Sequence, residues 1–369
     1  MAHIRHPVGN AWRGPRTALF FVLVLVLGAA GSLGAYAADA IGSVTYLEGS
    51  VSMVRDGTDI PDVQIGQDVQ AFDVVKTADD GVAEISLTAP QLPRMTIKLS
   101  ADTQFALEVA TTGDGKLQST VSLLGGQVAL KVAKLLGSQS VRVQTESAAM
   151  GVRGTEFSVT AVSTGDVLVD CDEGAVAVTD DKGRELSAAP GSVVEQRPGE
   201  AYQTVPVAPA GLEQFRAQWR EQRRQFLEAN ALRFIRVNAA LYRQLSREFT
   251  ALHQELARNQ SIVNKWAFED RAGQVGSRVE VLRERRLMGA QLVRLRRTAF
   301  RLERVAFRLE RLQALHDRGI GAGSLEDGTT TAVFFAQVAR ERQDVRRKLA
   351  LTRYLTKQFL RRNEGHLPE

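Results

Sequence analysis

Cysteine is almost absent from this chain of 369 residues, which contains one, Cys171. A disulfide bond within the chain is therefore excluded. Cys171 alternates with Val167 and Val169 along an apolar run. This spacing favours a small buried residue on a strand over the alternative of a reactive or dimer-forming thiol.

Histidine is also scarce, with five residues in total and none between positions 38 and 252. A serine or cysteine nucleophile paired with histidine would need a histidine in the β half, so this absence argues against acid–base catalysis there, although carboxylates could still serve. No cluster at metal-ligand spacing, phosphate-binding loop or nucleophile-elbow motif occurs. We therefore predict a protein that is not an enzyme and binds no metal or cofactor, and a carbohydrate-active enzyme with paired carboxylates is a remote alternative.

The chain begins with a short apolar run between residues 18 and 30, preceded by Arg5, Arg13 and Arg16 and by no acid. The run is shorter than the roughly 20 apolar residues of a comfortable membrane span. Ala35 and Ala37 follow it with the spacing of a signal-peptidase site. We predict a signal peptide over 1–37 and export to the periplasm or envelope of a bacterium, with an uncleaved anchor as the alternative.

Charge divides the rest of the chain into two opposed halves. Residues 39–207 carry 12 Lys and Arg against 24 Asp and Glu, whereas residues 208–369 carry 32 against 18. The overall charge of +5 hides this contrast. Such asymmetry concerns the partners of a protein and not its fold.

Local patterns change at the same boundary. Val, Thr, Gly and Asp dominate the first half, in short alternating runs such as 82–87 and 157–162. This pattern predicts an all-β roll or sandwich over 38–205. Hairpin turns are expected at 113–116 and 180–183, because Gly and Asp tolerate positive φ.

Proline predicts a linker over 206–211, and no proline occurs from Leu212 until Pro368. Apolar residues then recur every three or four positions, which is typical of amphipathic helices. We predict a helical domain over 212–364, as an antiparallel bundle or a coiled coil. The fold class is thus α+β in separate domains, with helices expected at about 211–258, 263–318 and 330–362.

One run in the β half is distinctive: Gly151, Val152, Arg153, Gly154, Thr155, Glu156 and Phe157. The two glycines should bracket a tight corner before a strand starts at Thr155. The run resembles the core motif of the FecR domain family, and the Gly-x-Val elements at 42–44 and 49–51 resemble the opening of that family. The resemblance covers about residues 41–200.

The resemblance implies a non-catalytic extracytoplasmic β domain that binds or positions other molecules, with the motif residues in a structural role. The best-known members of the family are membrane-spanning regulators of iron-siderophore signalling, with a cytoplasmic helical domain that controls a sigma factor. Only 17 residues precede the apolar run here, too few for that domain. The sigma-factor role is therefore not transferred to this chain.

Arginine dominates the helical half, with 29 residues against 3 lysines. Interleaved glutamates favour a solvated helix face with pairs at i,i+4. The alternative is a basic surface that faces anionic lipid, an envelope polymer or the acidic β half. Its candidate residues are Arg283, Arg285, Arg286, Arg294, Arg296 and Arg297.

These observations predict a non-catalytic binding or scaffold protein of the cell envelope. The expected partner is a protein or an anionic lipid or polymer and not a nucleic acid, and the helical domain could support a homo-oligomer. A membrane-anchored component of siderophore-type signal transduction is the alternative.

Overall fold

The structure is a computed structural model, and it describes residues 40–135, 137, 139–152, 154–180, 182–197 and 200–368. The expected signal peptide and Arg153 lie outside these residues. Within them, alternating buried and exposed side chains give seventeen strands. The strands are β1 Gly42–Glu48, β2 Val51–Arg55, β3 Thr58–Ile60, β4 Asp68–Val69, β5 Val74–Thr77, β6 Val82–Leu87, β7 Met95–Leu99, β8 Gln104–Thr111, β9 Leu117–Val132, β10 Gln139–Gln144, β11 Ala148–Val152, β12 Glu156–Ala161, β13 Val167–Glu173, β14 Val176–Asp180, β15 Glu185–Ala188, β16 Ser192–Gln196 and β17 Gln203–Pro206.

The strands form two layers that share the long strand β9. The first half of β9 pairs with β8 and in parallel with β10, and its second half pairs with β7 and β12. The change of layer falls at Gly125 and Gly126, and Gly126 has a φ of 97°. A side chain at 126 would approach the Thr103 Cα to 2.4 Å, so glycine is required where the strand bends.

The layer that contains the second half of β9 has the order β4-β1-β6-β7-β9-β12-β13-β16-β17. We call it layer A. Layer B has the order β3-β2-β5-β8-β9-β10-β11-β14-β15. Inward side chains of both layers form one apolar core, which includes Ile97, Phe105 and Phe157. The expected turns at 113–116 and 180–183 join β8 to β9 and β14 to β15.

Five α-helices follow in the described chain. They are α1 Leu212–Ala229, α2 Ala231–Leu256, α3 Gln260–Arg271, α4 Arg278–His316 and α5 Thr331–Arg362. The α+β fold class, with strands first and helices second, is confirmed. None of these helices combines the length and the apolar composition that a membrane span needs.

Two of the three expected helices were wrong in extent. The helix expected over 211–258 is interrupted at Asn230, where φ is −119° and ψ is 19°. The helix expected over 263–318 is interrupted between α3 and α4, where Gly273 has a φ of 67°. Ser277 and Glu280 then cap α4 reciprocally, so the chain starts a new helix there. The third, expected over 330–362, is α5.

The three long helices form an up-down-up bundle. Glu255 of α2 pairs with Arg294 of α4, and Tyr242 of α2 bonds to Glu341 of α5. The apolar stripes of α2, α4 and α5 meet in a second core, distinct from that of the β layers. The short helix α3 packs at the end of α5, where Trp266 and Phe359 are in edge contact.

His253 makes the stability of this bundle sensitive to acid. Burial, with a smaller contribution from Lys348, lowers the pKa of His253 from 6.5 to about 4. Because the folded pKa lies below the unfolded value, protonation favours the unfolded chain as pH falls from about 6.5 to about 4. We expect His253 to cost about 2 kcal/mol of stability between pH 7 and pH 5.

Urea unfolding at the two pH values measures this cost, with His253→Gln as the uncharged control. The drop between pH 7 and pH 5 should be smaller in the variant by that amount, since the carboxylates titrate alike in both proteins. Equal drops in the two proteins would contradict the prediction.

Candidate functional site

The family motif forms a corner between β11 and β12. Gly154 has a φ of 66°, a conformation that favours glycine. Thr155 follows and is 4% exposed, and its methyl group packs on Gly174, where a Cβ would lie 2.7 Å from Thr155 Cγ2. Gly174 itself has a φ of 86°. Glycines in two separate connections, β11–β12 and β13–β14, are thus needed to bring the two chain segments together.

The remaining motif residues are divided between core and surface. Phe157 is fully buried in the core between the layers, and Val152 is 6% exposed. Gly151 is exposed, with open space around it. Glu156 begins β12, and its carboxylate forms an ion pair with Lys131 of β9 at 2.9 Å. The structural role expected for the motif stays a prediction, and the geometry gives Gly154 and Phe157 clear structural tasks.

An open cavity of about 420 Å³ lies at this corner. We call it the corner concavity, and it is lined by Lys131, Val132, Lys134, Gly154, Thr155, Glu156 and Glu173. The Lys131–Glu156 hydrogen bond raises the pKa of Lys131, so the lysine is charged. In the described part of the chain, the side chains of Lys134 and Glu173 have no ion-pair partner, and Oγ1 of buried Thr155 has no hydrogen-bond partner. The corner concavity therefore presents charged side chains of both signs to a ligand.

The helical half packs on the β half through complementary charge, mainly along α4. Arg296 bonds to Glu108 of β8 at 2.8 Å, and Arg311 bonds to Asp102 at 2.6 Å. Arg304 and Arg308 both pair with Glu146. Charge from Arg308 and Arg304 outweighs burial and lowers the pKa of Glu146. The opposed charges of the two halves thus meet within one molecule.

Helix α1 holds the outer face of layer A. Trp219 packs on Leu168 and Val193, and its indole N–H donates to Glu195 at 2.8 Å. Arg216, one turn earlier, pairs with Asp170 and Asp172 of β13. Asp170 is 1% exposed, so this ion pair is desolvated. Apolar and charged contacts therefore fix α1 on the same strands.

Helix α5 and the segment after it add weaker contacts at layer B. Arg346 pairs with Asp59 at 3.0 Å, and Lys357 pairs with Asp56 at 3.2 Å. The backbone N–H of Thr111 donates to the carbonyl of Gly365 at 2.8 Å. The described residues from 40 to 368 accordingly form one compact unit.

The six candidate arginines of the helical half do not act together. Arg296 contacts the β half, and Arg294 pairs with Glu255 inside the bundle. The other four are exposed and have no carboxylate partner among the described residues: Arg283, Arg285, Arg286 and Arg297. Sequence reasoning missed the ion pairs that Arg216, Arg304 and Arg308 form with the β half. The opposed net charges of the halves signalled such pairing but not its residues.

The close approach at the corner gives a matched test. We expect Gly174→Ala to lower the free energy of unfolding by about 2–3 kcal/mol, because it adds steric overlap to the strain of a positive φ. Gly183 has a φ of 77° but open space around it, so Gly183→Ala should cost only about 1 kcal/mol.

Urea unfolding of the two variants measures the difference. Adding Thr155→Ser to Gly174→Ala removes the overlapping methyl group and should recover the excess cost. Equal costs at 174 and 183 would show that the close approach plays no part.

Known proteins are similar to the β half. Residues 73–177 match the family model described as FecR protein. Two crystal structures of a candidate anti-sigma factor from Parabacteroides distasonis ATCC 8503 align at 17% identity with TM-scores of 0.32 and 0.31. Each alignment covers 38% of this chain and 62% of that chain. No curated protein matches the chain significantly.

The family match confirms the resemblance of the β half to the FecR domain family. It begins at Asp73 near β5 and ends at Ala177 in β14, so the whole corner motif lies inside it. The helical half is outside the matched residues.

Proposed function

We propose that this chain is a non-catalytic binding or scaffold protein of the bacterial cell envelope, which recognises a protein partner through the corner concavity. The observation that carries the proposal is the lining of the concavity. It includes a lysine and a glutamate without ion-pair partners among the described residues, Lys134 and Glu173. Such a lining suits a peptide segment that carries side chains of both signs.

The helical half supports this function as a brace. Its ion pairs with layer B and its apolar contacts with layer A hold the β half from outside, while the corner concavity is lined by β-half residues alone. We infer that this bracing of the β half reduces the entropy cost of recognition.

Site-specific photo-crosslinking in the native host tests the proposal. A photoreactive residue at Lys134 or at Glu173 should give the same protein adduct. Lys182 is an exposed control in the β14–β15 turn, at the far end of the hairpin from the motif. The double variant Lys131→Glu with Glu156→Lys keeps the net charge but reverses the sign of two lining side chains. It should reduce the yield of the adduct several-fold. No adduct, or equal labelling at 182, would overturn the proposal.

A FecR-type signalling component, anchored by a retained N-terminal segment, is the second candidate function. The family match at 73–177 supports it. Mass spectrometry of the protein isolated from its host identifies the mature N-terminus. A chain that starts at Ala38 has lost the anchor, and this version of the function is then excluded.

A further inference from the structure

The turn between α3 and α4 concentrates exposed apolar side chains. Ten large hydrophobic residues are exposed in the described chain, and five of them lie within residues 268–287. They are Phe268, Val275, Val279, Leu282 and Leu287. Val279 is 79% exposed and Phe268 66%. Single exposed apolar residues need no explanation, but a concentration in one hairpin indicates a contact surface.

Arginines share the outward face of this segment. Arg283 follows Val279 by four residues, and Arg286 follows Leu282 by four, so each pair lies side by side on the helix surface. The opposite face is buried through Glu284 and Met288. We call residues 268–287 the arginine tip. Its exposed arginines are Arg271, Arg278, Arg283, Arg285 and Arg286.

The acidic residues of the arginine tip do not neutralise these arginines. Glu280 and Glu284 both bond to Lys265, at 2.9 and 2.8 Å. Asp270 bonds to Arg361 and Glu269 to Arg362 of α5. All four carboxylates of the segment thus pair with lysine or arginine side chains that lie outside it. In the described ranges, none of the five arginines has a carboxylate partner, so the outward charge is strongly positive.

We propose that the arginine tip docks on the surface of an anionic phospholipid membrane. Apolar side chains interleaved with arginines are the composition of helices that lie in a membrane interface, where the guanidinium groups reach lipid phosphates. A second copy of the chain fits less well, because a two-fold contact would set the five arginines against the same five. The ion pairs of α4 with the β half begin only at Arg296, so docking leaves them intact.

Vesicle co-sedimentation of the mature protein tests the proposal. Binding should be strong to vesicles of phosphatidylcholine with phosphatidylglycerol and weak to phosphatidylcholine alone. Arg278→Gln with Arg285→Gln and Arg286→Gln should lower the partition coefficient about 100-fold, at roughly 1 kcal/mol for each arginine. The matched control removes three exposed arginines elsewhere on the bundle, Arg233, Arg340 and Arg342, and should change it little.

The apolar contribution needs a separate variant. Val279→Ser with Leu282→Ser should lower partitioning about tenfold, whereas Val237→Ser with Val333→Ser, also at exposed sites, should not. All these sites are exposed, so melting temperatures should stay unchanged. The proposal would be overturned if the tip and control variants lowered partitioning equally. It would also be overturned if only the arginine variant of the tip lowered partitioning.

A local probe distinguishes the membrane from a second copy. A fluorophore on Leu282→Cys should shift to the blue with anionic vesicles and should not shift with protein concentration. Labelling is selective, because Cys171 is 2% exposed and burial raises its pKa to about 11. A concentration-dependent shift without vesicles would assign the tip to self-association. Crosslinking at Lys134 is independent of this result, so the two proposals can fail separately.

Discussion

Arg216→Ala is expected to lower the free energy of unfolding by about 3–5 kcal/mol, because it leaves a buried carboxylate without its counter-charge. Asp170 is 1% exposed and touches the guanidinium of Arg216, which also contacts Asp172 at 3.3 Å. Equilibrium unfolding in urea at pH 7 measures the loss. A cost below about 1 kcal/mol would show that α1 is not held on β13 by this pair.

A surface pair on the same helix is the matched control. Arg224 is about half exposed and pairs with Glu221 at 2.6 Å. Because exposed ion pairs contribute little, Arg224→Ala should cost far less than Arg216→Ala. The double variant Asp170→Asn with Arg216→Met removes both charges and should recover most of the stability lost in Arg216→Ala.

The loss in Arg216→Ala should also depend on pH. Burial raises the pKa of Asp170 even though Arg216 opposes this effect. Without Arg216 the folded pKa rises further above its unfolded value, so protonation favours the folded state. The deficit relative to the unmodified protein should therefore shrink as pH falls from 7 toward 5. A constant deficit would place its origin in lost packing rather than in the buried charge.

Trp219→Ala is expected to destabilise the protein by about 3–5 kcal/mol through a different mechanism, the loss of a buried aromatic side chain. Trp219 is 3% exposed and covers Leu168 and Val193 on the outer face of layer A. The guanidinium of Arg223 lies 4.7 Å from the centre of its ring. Thermal and urea unfolding measure the loss.

Trp219→Phe separates packing from hydrogen bonding. It keeps an aromatic ring on layer A but removes the N–H that donates to Glu195. Gln203 still donates to Glu195 at 2.7 Å, so the carboxylate keeps a partner and the cost should be about 1–2 kcal/mol. If Phe and Ala cost the same, the hydrogen bond and not the apolar contact holds α1.

Much of this fold is predictable from local pattern. Alternation of side chains predicted the strands, and apolar spacing predicted the helices, because both follow from backbone periodicity. The boundary at 206–211 lies between the end of β17 at Pro206 and the start of α1 at Leu212. The helix interruption at Asn230 escaped prediction, since asparagine is only a weak helix breaker and the apolar pattern continues across it.

The candidate sites were predictable to different degrees. The motif at 151–157 identified the corner. Lys131 of β9 and Glu173 of β13 also line it. Both are separated from the motif along the sequence, so no local pattern reveals them. The six candidate arginines, all in α4, look alike in sequence. Arg296 faces Glu108 and Arg286 faces outward because their helix positions differ relative to layer B.

The sequence by itself determined that an acidic β half precedes a basic helical half, because composition and periodicity are local properties of the chain. Only the tertiary structure decided that these charges meet, with Arg216, Arg304 and Arg308 committed to carboxylates of the β half. Pairing of this kind depends on which surfaces pack together. The same packing leaves the arginines of the arginine tip without acidic partners in the described chain. These arginines are the part of the basic charge that we propose is available to bind a membrane.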